Sequence, residues 1–402
     1  MNEGASTRSY VRNEEDVKIM IKHAKLEEED LKPLSQAIYF SSKFDEYKLL
    51  ELNSQILSSL TEGQRVVFRG CKDDKAVLCT NDKTFEVKEA ETSNSLLLLP
   101  TLKLAVDCEP VSEDGSRKLE ETEIVGVFHT YLELRLTKPR LRRLRALLEP
   151  SSYRGSELED SLRESGVKFY TTQDLLEVVQ ASEEELLHGL AELGVCQMDG
   201  HWRLLEFDYH FRVLSYFLNL VDSNSWNVMC IPYKETVDNL EDLMPRPILD
   251  HVFHQYAEMS GDRDDEGEPL YSLKEEKICR FLAEVLLRSA GRFNLQEFLQ
   301  AWQESVPEGL NTDLKQLAGM ALVELNAKPQ AIWFYAESEL PEDIQERINT
   351  LFQVREKWTF DEIHPYIEKL TTEKLNANAL LTKFARASTI NGVRYYSARH
   401  GK

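Results

Sequence analysis

What this chain lacks narrows it first. Its longest purely aliphatic run is Leu96 to Leu99, far short of the about 20 residues a membrane helix requires. The first twenty residues are polar and charged, without a secretory apolar core, so the expectation is a soluble intracellular protein. Six cysteines (Cys71, Cys79, Cys108, Cys196, Cys230 and Cys279) form no C-x-x-C pair, which argues against a disulfide framework or a zinc finger and for reduced thiols. Walker A spacing, G-x-G-x-x-G, G-x-S-x-G and H-E-x-x-H are all missing, so no enzymatic activity, cofactor or metal is expected. His251 and His254 stand at i and i+3 with no further ligand at matching spacing, and read as surface or core histidines. The acidic run Asp262 to Glu268 has Leu273 where a calcium loop needs a bidentate glutamate, and reads as a solvated linker.

What is present describes a globular protein with an uneven charge. At 402 residues and 42% apolar content the chain can bury two to three cores of about 150 residues each. Residues 376–402 carry Lys383, Arg386, Arg394, Arg399 and Lys402 and no acid, +5 of a net −22, which leaves −27 on residues 1–375. Such a body repels polyanions, so any DNA contact should be confined to the C-terminal tip.

Along the chain, residues 1–30 contain the run Glu27 to Asp30 and no apolar stripe, and are expected as a flexible N-terminus. Residues 31–150 read as β-rich. Val66 to Phe68, Ala76 to Cys79, Thr84 to Lys88, Leu96 to Leu99 and Leu132 to Leu136 are short strands, joined by turns at Lys72 to Lys75 and at Asn81 and Asp82. Residues 110–122 read as an exposed loop. A few strands with unpaired edges and a nearly solid leucine run need cover, so the expectation is a partial barrel onto which partner chains add strands; a self-closed barrel is the competing reading. Val66, Phe68, Val77, Leu78, Phe85, Leu97 and Leu99 are the candidate docking residues. Lys138 to Arg145 reads as a helix with Leu141, Leu144, Leu147 and Leu148 inward, rather than as an import signal.

The C-terminal half repeats an organisation rather than a sequence: helices, then an aromatic hairpin. Residues 151–207 have helices near Thr172 and after the capping box Ser182 to Glu185, then a hairpin turning at Asp199 and Gly200. Residues 208–270 read as a helical connector with the acidic linker. Residues 271–340 are capped by Ser272 to Glu275, with later helices near Asn294 and Thr312 and a hairpin from Ala321 to Ala336. Residues 341–402 have Pro341 at a first helical position, a box Thr359 to Glu362, a helix over 372–387 and a hairpin turning at Asn391 and Gly392. Helices followed by a two-stranded wing are the winged-helix variant of helix-turn-helix. The fold class is therefore α+β, a β-rich partial-barrel docking domain followed by three tandem winged-helix domains.

On the last helix, Thr382, Lys383 and Arg386 fall on the open side, and the wing adds Arg394, Arg399 and Lys402. Tyr395 and Tyr396 lie on opposite faces of one strand, so Tyr395 can stay free. These residues form the candidate DNA surface. Glu183 to Glu185 give the first unit the wrong sign for phosphates, and point it towards protein.

The segments Gly63 to Gly70 (GQRVVFRG), Ala76 to Thr80 (AVLCT), Lys83 to Phe85, Glu91 to Leu99 and Asn391 to Tyr396 (NGVRYY) resemble the sister chromatid cohesion protein DCC family, the winged-helix subunits of an alternative replication factor C clamp loader. The likeness runs over essentially the whole chain. It implies a nuclear complex with chromosome transmission fidelity proteins eight and eighteen, joined through the N-terminal β domain. It further implies winged helices that reach DNA and the catalytic subunit of DNA polymerase epsilon, and a role in loading PCNA and in cohesion. Replication factor C small subunits and PCNA are then indirect partners, and ATP hydrolysis belongs to other subunits. A winged-helix assembly subunit of another complex, without DNA binding, is the alternative.

Overall fold

The computed structural model describes residues 12–31, 34–41, 43–44, 46–104, 106, 118–325, 327–371 and 375–399, and is mixed α/β with several small sheets. It divides into two compact units, Met1–Leu136 and Thr137–Lys402.

The first unit runs α1 (Glu14–Ala24), β1 (Leu34–Phe40), α2 (Ser54–Thr61), β2 (Val67–Arg69), β3 (Val77–Cys79), β4 (Thr84–Leu98), β5 (Lys118–Ile124) and β6 (Gly126–Thr137). The helix α1 was not expected. Its Asn13 and Asp16 form a capping box, acids fill its first turn, Lys22 and His23 its last, and it buries no residue. Local capping, which needs no apolar stripe, accounts for it. Strands β2-β3-β4-β6 form one sheet, and β1 pairs with β5 in parallel from Leu34↔Lys118 to Phe40↔Ile124. Residues 118–122 of the expected loop are thus strand, and residues 107–117 lie outside the described residues. No sheet among the described residues closes into a barrel. The core is small: Ile56, Leu78 and Phe85, with Leu50, Val66, Val87 and Leu134 packed against them.

The second unit opens with α3 (Arg142–Leu148), α4 (Ser156–Glu164), α5 (Thr172–Val178), α6 (Glu183–Glu192), β7 (Cys196–Met198) and β8 (His201–Arg203). Leu144 and Leu148 of α3 are fully buried beside Leu175 and Leu186, so the helical reading of this basic stretch holds, within the second unit. The box at Ser182 and Glu185 forms, and Asp199 and Gly200 turn the hairpin with positive φ. Tyr170 bridges to Trp202 in an antiparallel contact, a one-residue third strand.

Three further segments share one element order. They are α7 (Phe207–Ser223), β9 (Ile231–Pro232), α8 (Tyr233–Leu240), α9 (Arg246–Tyr256), β10 (Ala257–Arg263) and β11 (Pro269–Leu273); then α10 (Glu275–Ala290), β12 (Arg292–Asn294), α11 (Leu295–Ser305), a 3₁₀ turn Leu314–Leu317, β13 (Ala321–Glu324) and β14 (Ala331–Phe334); then α12 (Ile344–Val354), β15 (Trp358–Thr359), α13 (Phe360–Ile367), α14 (Ala377–Phe384), β16 (Ala385–Ile390) and β17 (Val393–Ala398). In the sheets β10-β11-β9, β12-β14-β13 and β15-β17-β16 the last strand is central.

Residues 208–270 therefore differ from the expected connector. They hold helices and strands of their own, and the acidic run is the tip of hairpin β10–β11, where Asp264 Oδ1 accepts from the backbone of Glu266 and Glu268. A solvated hairpin tip and a solvated linker have the same composition. Ser272 lies in β11, and α10 starts after Lys274 without a side-chain cap. Thr312 precedes only the 3₁₀ turn capped by Asp313, and α12 is capped by Asp343, two residues beyond Pro341.

Candidate nucleic-acid interface

The basic tip is built on α14 and the hairpin that follows it. Asn376 caps α14 by accepting from the backbone of Ala379, Leu380 and Leu381 are fully buried, and Asn378, Thr382 and Lys383 are exposed. The Thr382 hydroxyl donates to the Asn378 carbonyl at 2.8 Å, and the Lys383 ammonium lies 5.2 Å from the Phe384 ring. Strand β16 begins at once. Asn391 (φ 51°) and Gly392 (φ 81°) turn it into β17, the doubly left-handed turn that an Asn-Gly pair favours.

Register then sorts the side chains. Ala387↔Tyr396 and Ala385↔Ala398 share the core side, where Tyr396 is 3% exposed. Ser388↔Tyr395 and Arg386↔Ser397 share the outer side, with Tyr395 half-buried and Arg386 exposed. Arg399 falls on the outer side by alternation and donates to the Lys383 carbonyl at 2.6 Å. Arg394 lies instead on the core-facing side near the turn, exposed, its guanidinium 5.4 Å from the Tyr396 ring. The structure thus places Arg386, Tyr395 and Arg399 on the outer side of the sheet, with Arg399 on the backbone of Lys383, and sets Arg394 on the other side; Lys402 lies outside the described residues.

Sequence reasoning passed over Lys357. It is exposed one residue before β15, and alternation from Thr359, the register partner of Tyr395, places it on the outer side. The capping box Thr359 to Glu362 carried that signal, because it fixes where β15 ends.

The corresponding third helices elsewhere are less suited to phosphate. In α6 the first turn is Glu183, Glu184 and Glu185. In α9, His251 Nε2 lies 3.0 Å from the Gly194 carbonyl, and a Cβ at Gly194 would stand 2.9 Å from the Gln255 amide, so α9 packs on the preceding hairpin. His254 Nδ1 lies 2.7 Å from the Asp250 carbonyl, so each histidine of the i, i+3 pair sits against a backbone carbonyl. After α11 the third helix is replaced by the 3₁₀ turn. Among the described residues α14 is the third helix with an open, basic face.

The candidate docking residues separate in the same way. Val77, Leu78 and Phe85 are 1% exposed and belong to the first unit's own interior, which corrects the expectation that they meet a partner. Val66 and Leu99 are half-buried, whereas Phe68 and Leu97 are 55% and 47% exposed, with Phe40 and Leu104 more exposed still.

Comparison with known proteins supplies the relationship. Residues 47–367 match the model of the family described as sister chromatid cohesion protein Dcc1, a span that ends before α14. The proteins named sister chromatid cohesion protein DCC1 from Danio rerio and from Homo sapiens are each 40% identical to this chain, over 97% and 96% of it and 99% and 98% of their own lengths. The Saccharomyces cerevisiae protein of that name is 24% identical over 85% of this chain and 93% of its own length. With identity sustained from end to end, this chain belongs to the sister chromatid cohesion protein Dcc1 family.

Proposed function

We propose that this chain is a non-catalytic subunit of an alternative replication factor C complex in the nucleus. It helps to load PCNA onto DNA, links the loader to DNA polymerase epsilon and supports sister chromatid cohesion. We read the three segments with a shared element order as winged helices, and residues 153–206, with their one-residue third strand, as a fourth. The first unit then docks chromosome transmission fidelity proteins eight and eighteen through its exposed apolar strands, and the last winged helix contacts DNA.

Family membership supports the cohesion role. The observation that carries the DNA contact is the exposed basic end, α14 to β17, on a chain of net −22. The test is affinity of the full chain for DNA across a salt series, wild type against Lys383→Glu with Arg394→Glu. With up to four described cations on phosphates, log affinity should fall against log salt with a slope of roughly −3 to −4. The double variant should bind more weakly whatever the sequence, since phosphate contacts position rather than specify. Equal binding by wild type and variant would move the function to protein docking alone.

A further inference from the structure

The body of the chain is not uniformly acidic. Residues 138–145 carry Lys138, Arg140, Arg142, Arg143 and Arg145 and no acid, +5 in eight residues, as much as residues 376–402 carry in 27. All five are exposed, and neither the DNA contact nor the first unit's strands use them. The fold makes one surface of this run. In α3, Leu144 and Leu148 are fully buried, so at about 100° per residue the opposite arc holds Arg145, Arg142, Ala146 and Arg143 in that order. Ala146, exposed near the centre of the arc, is small enough for another backbone to rest on it between the guanidinium groups. Ahead of the helix, the Arg140 backbone N–H donates to the Gln180 carbonyl at 3.1 Å and its guanidinium to the Gln180 amide oxygen at 2.7 Å. Leu141 presses on α6, where a Cβ at Gly189 would stand 2.6 Å from it. Packing thus holds the run in one place, yet the fold hardly answers its charge. Arg142 reaches Glu342 only at 3.8 Å, both side chains being exposed, and Lys138 and Arg145 have no ion pair among the described residues.

We propose that this ridge is a docking site for a short acidic segment of a partner protein, with its carboxylates on Arg142, Arg145 and Lys138 and its backbone laid over Ala146. Charge complementarity sets the sign of the partner, and the surroundings set its length. Glu149 follows α3 at once, Glu183 and Glu184 stand exposed three and four residues after Gln180, and Glu342 borders Arg142. Duplex DNA carries a charge about every 1.7 Å of its axis and runs on past a patch of this size, so its flanking phosphates would meet those acids. A few aspartates or glutamates end where the cations end. Arginine suits such a partner, because its planar fork takes a carboxylate through two parallel hydrogen bonds. The proposal does not depend on the DNA contact read for the last segment.

The test measures binding of the full chain, at low salt, to a fluorescent polyglutamate peptide and, separately, to a mixed-sequence DNA duplex. Arg142→Glu with Arg145→Glu should weaken peptide binding by roughly tenfold, two exposed ion pairs lost at about a factor of three each, and leave duplex binding as it was. Lys383→Glu with Arg394→Glu should do the reverse. Arg142→Lys with Arg145→Lys keeps both charges and should bind the peptide to within about threefold of wild type, which separates lost charge from lost fold. The proposal is overturned if the Arg142→Glu, Arg145→Glu variant binds the peptide like wild type, or if wild type binds no polyglutamate. It is overturned equally if that variant loses the duplex rather than the peptide, which would make the ridge a phosphate site. A wild type that binds the peptide but not the duplex supports the ridge and removes the DNA contact instead.

Discussion

Arg347 shows how one residue can hold a junction. It is 4% exposed, and its guanidinium meets Glu337 at 2.5 Å, the Tyr366 carbonyl at 2.9 Å and the carbonyls of Leu340 and Pro341. Burial pushes the Glu337 carboxyl up, but Arg347 and Lys369 outweigh that and hold it below its ordinary range. Removing one partner of such a pair leaves a buried charge unmatched, so Arg347→Ala should cost about 3–5 kcal/mol in urea unfolding, and a loss near zero would refute the junction role. His210 works in the opposite direction. Desolvation, with His251 adding to it, lowers its pKa from 6.5 to about 4; its Nε2 lies 3.1 Å from the Tyr256 hydroxyl and its ring 4.6 Å from that of Phe281. Between those pH values the unfolded chain binds a proton that the folded chain excludes. Stability is therefore full above about pH 6.5 and declines as pH falls towards 4, by about 3 kcal/mol at the acid limit for this group. His210→Phe should lose less stability over that window than wild type in urea titrations; parallel curves would show that the ring is not the source. Neither residue stood out in the sequence, because burial of a polar side chain is decided by partners distant along the chain.

Several elements were legible because their cause is local, although α1, which its own capping box explains, was not among them. The boxes at Ser182 and Thr359 and the turns at Asp199 with Gly200 and Asn391 with Gly392 need only neighbouring residues, and all four formed as expected. Other missed elements depend on distant partners: β1 pairs with β5, and the two-residue β9 exists only because β11 returns beside it. In the same way alternation named Phe68 and Phe85 together, and only the packed sheet shows one exposed and the other buried. The wing turn offers a test at this scale. A Cβ at Gly392 would meet nothing within 4 Å, so its φ of 81° is the whole reason for glycine. Gly392→Val should destabilise the hairpin by more than about 1 kcal/mol. Amide exchange in β16 and β17 should quicken while α7 is unaffected; unchanged protection in the hairpin would mean the turn is not what holds it.

At the scale of the second unit, the segments are not independent beads. One core runs from Tyr153 through Phe217, Phe253 and Trp302 to Ile332, crossing two segment boundaries. The last segment has its own core, and that core includes Leu322 from the segment before. Tyr366 donates to the carbonyls of Ala321 and Tyr335, and Arg347 reaches Glu337. A fragment of residues 341–402 therefore loses Leu322, Glu337 and both of those carbonyls, leaving the Arg347 charge buried without its acid. Such a fragment should unfold at lower urea than the same segment in residues 275–402, by the several kcal/mol that a broken buried pair and a truncated core together cost. Circular dichroism and the emission of the buried Trp358 report that transition in both pieces. Equal midpoints would mean that the last segment folds alone and that its contacts with the preceding sheet add nothing. A lower midpoint for the shorter piece would mean that the basic tip is held in place by the stack beneath it.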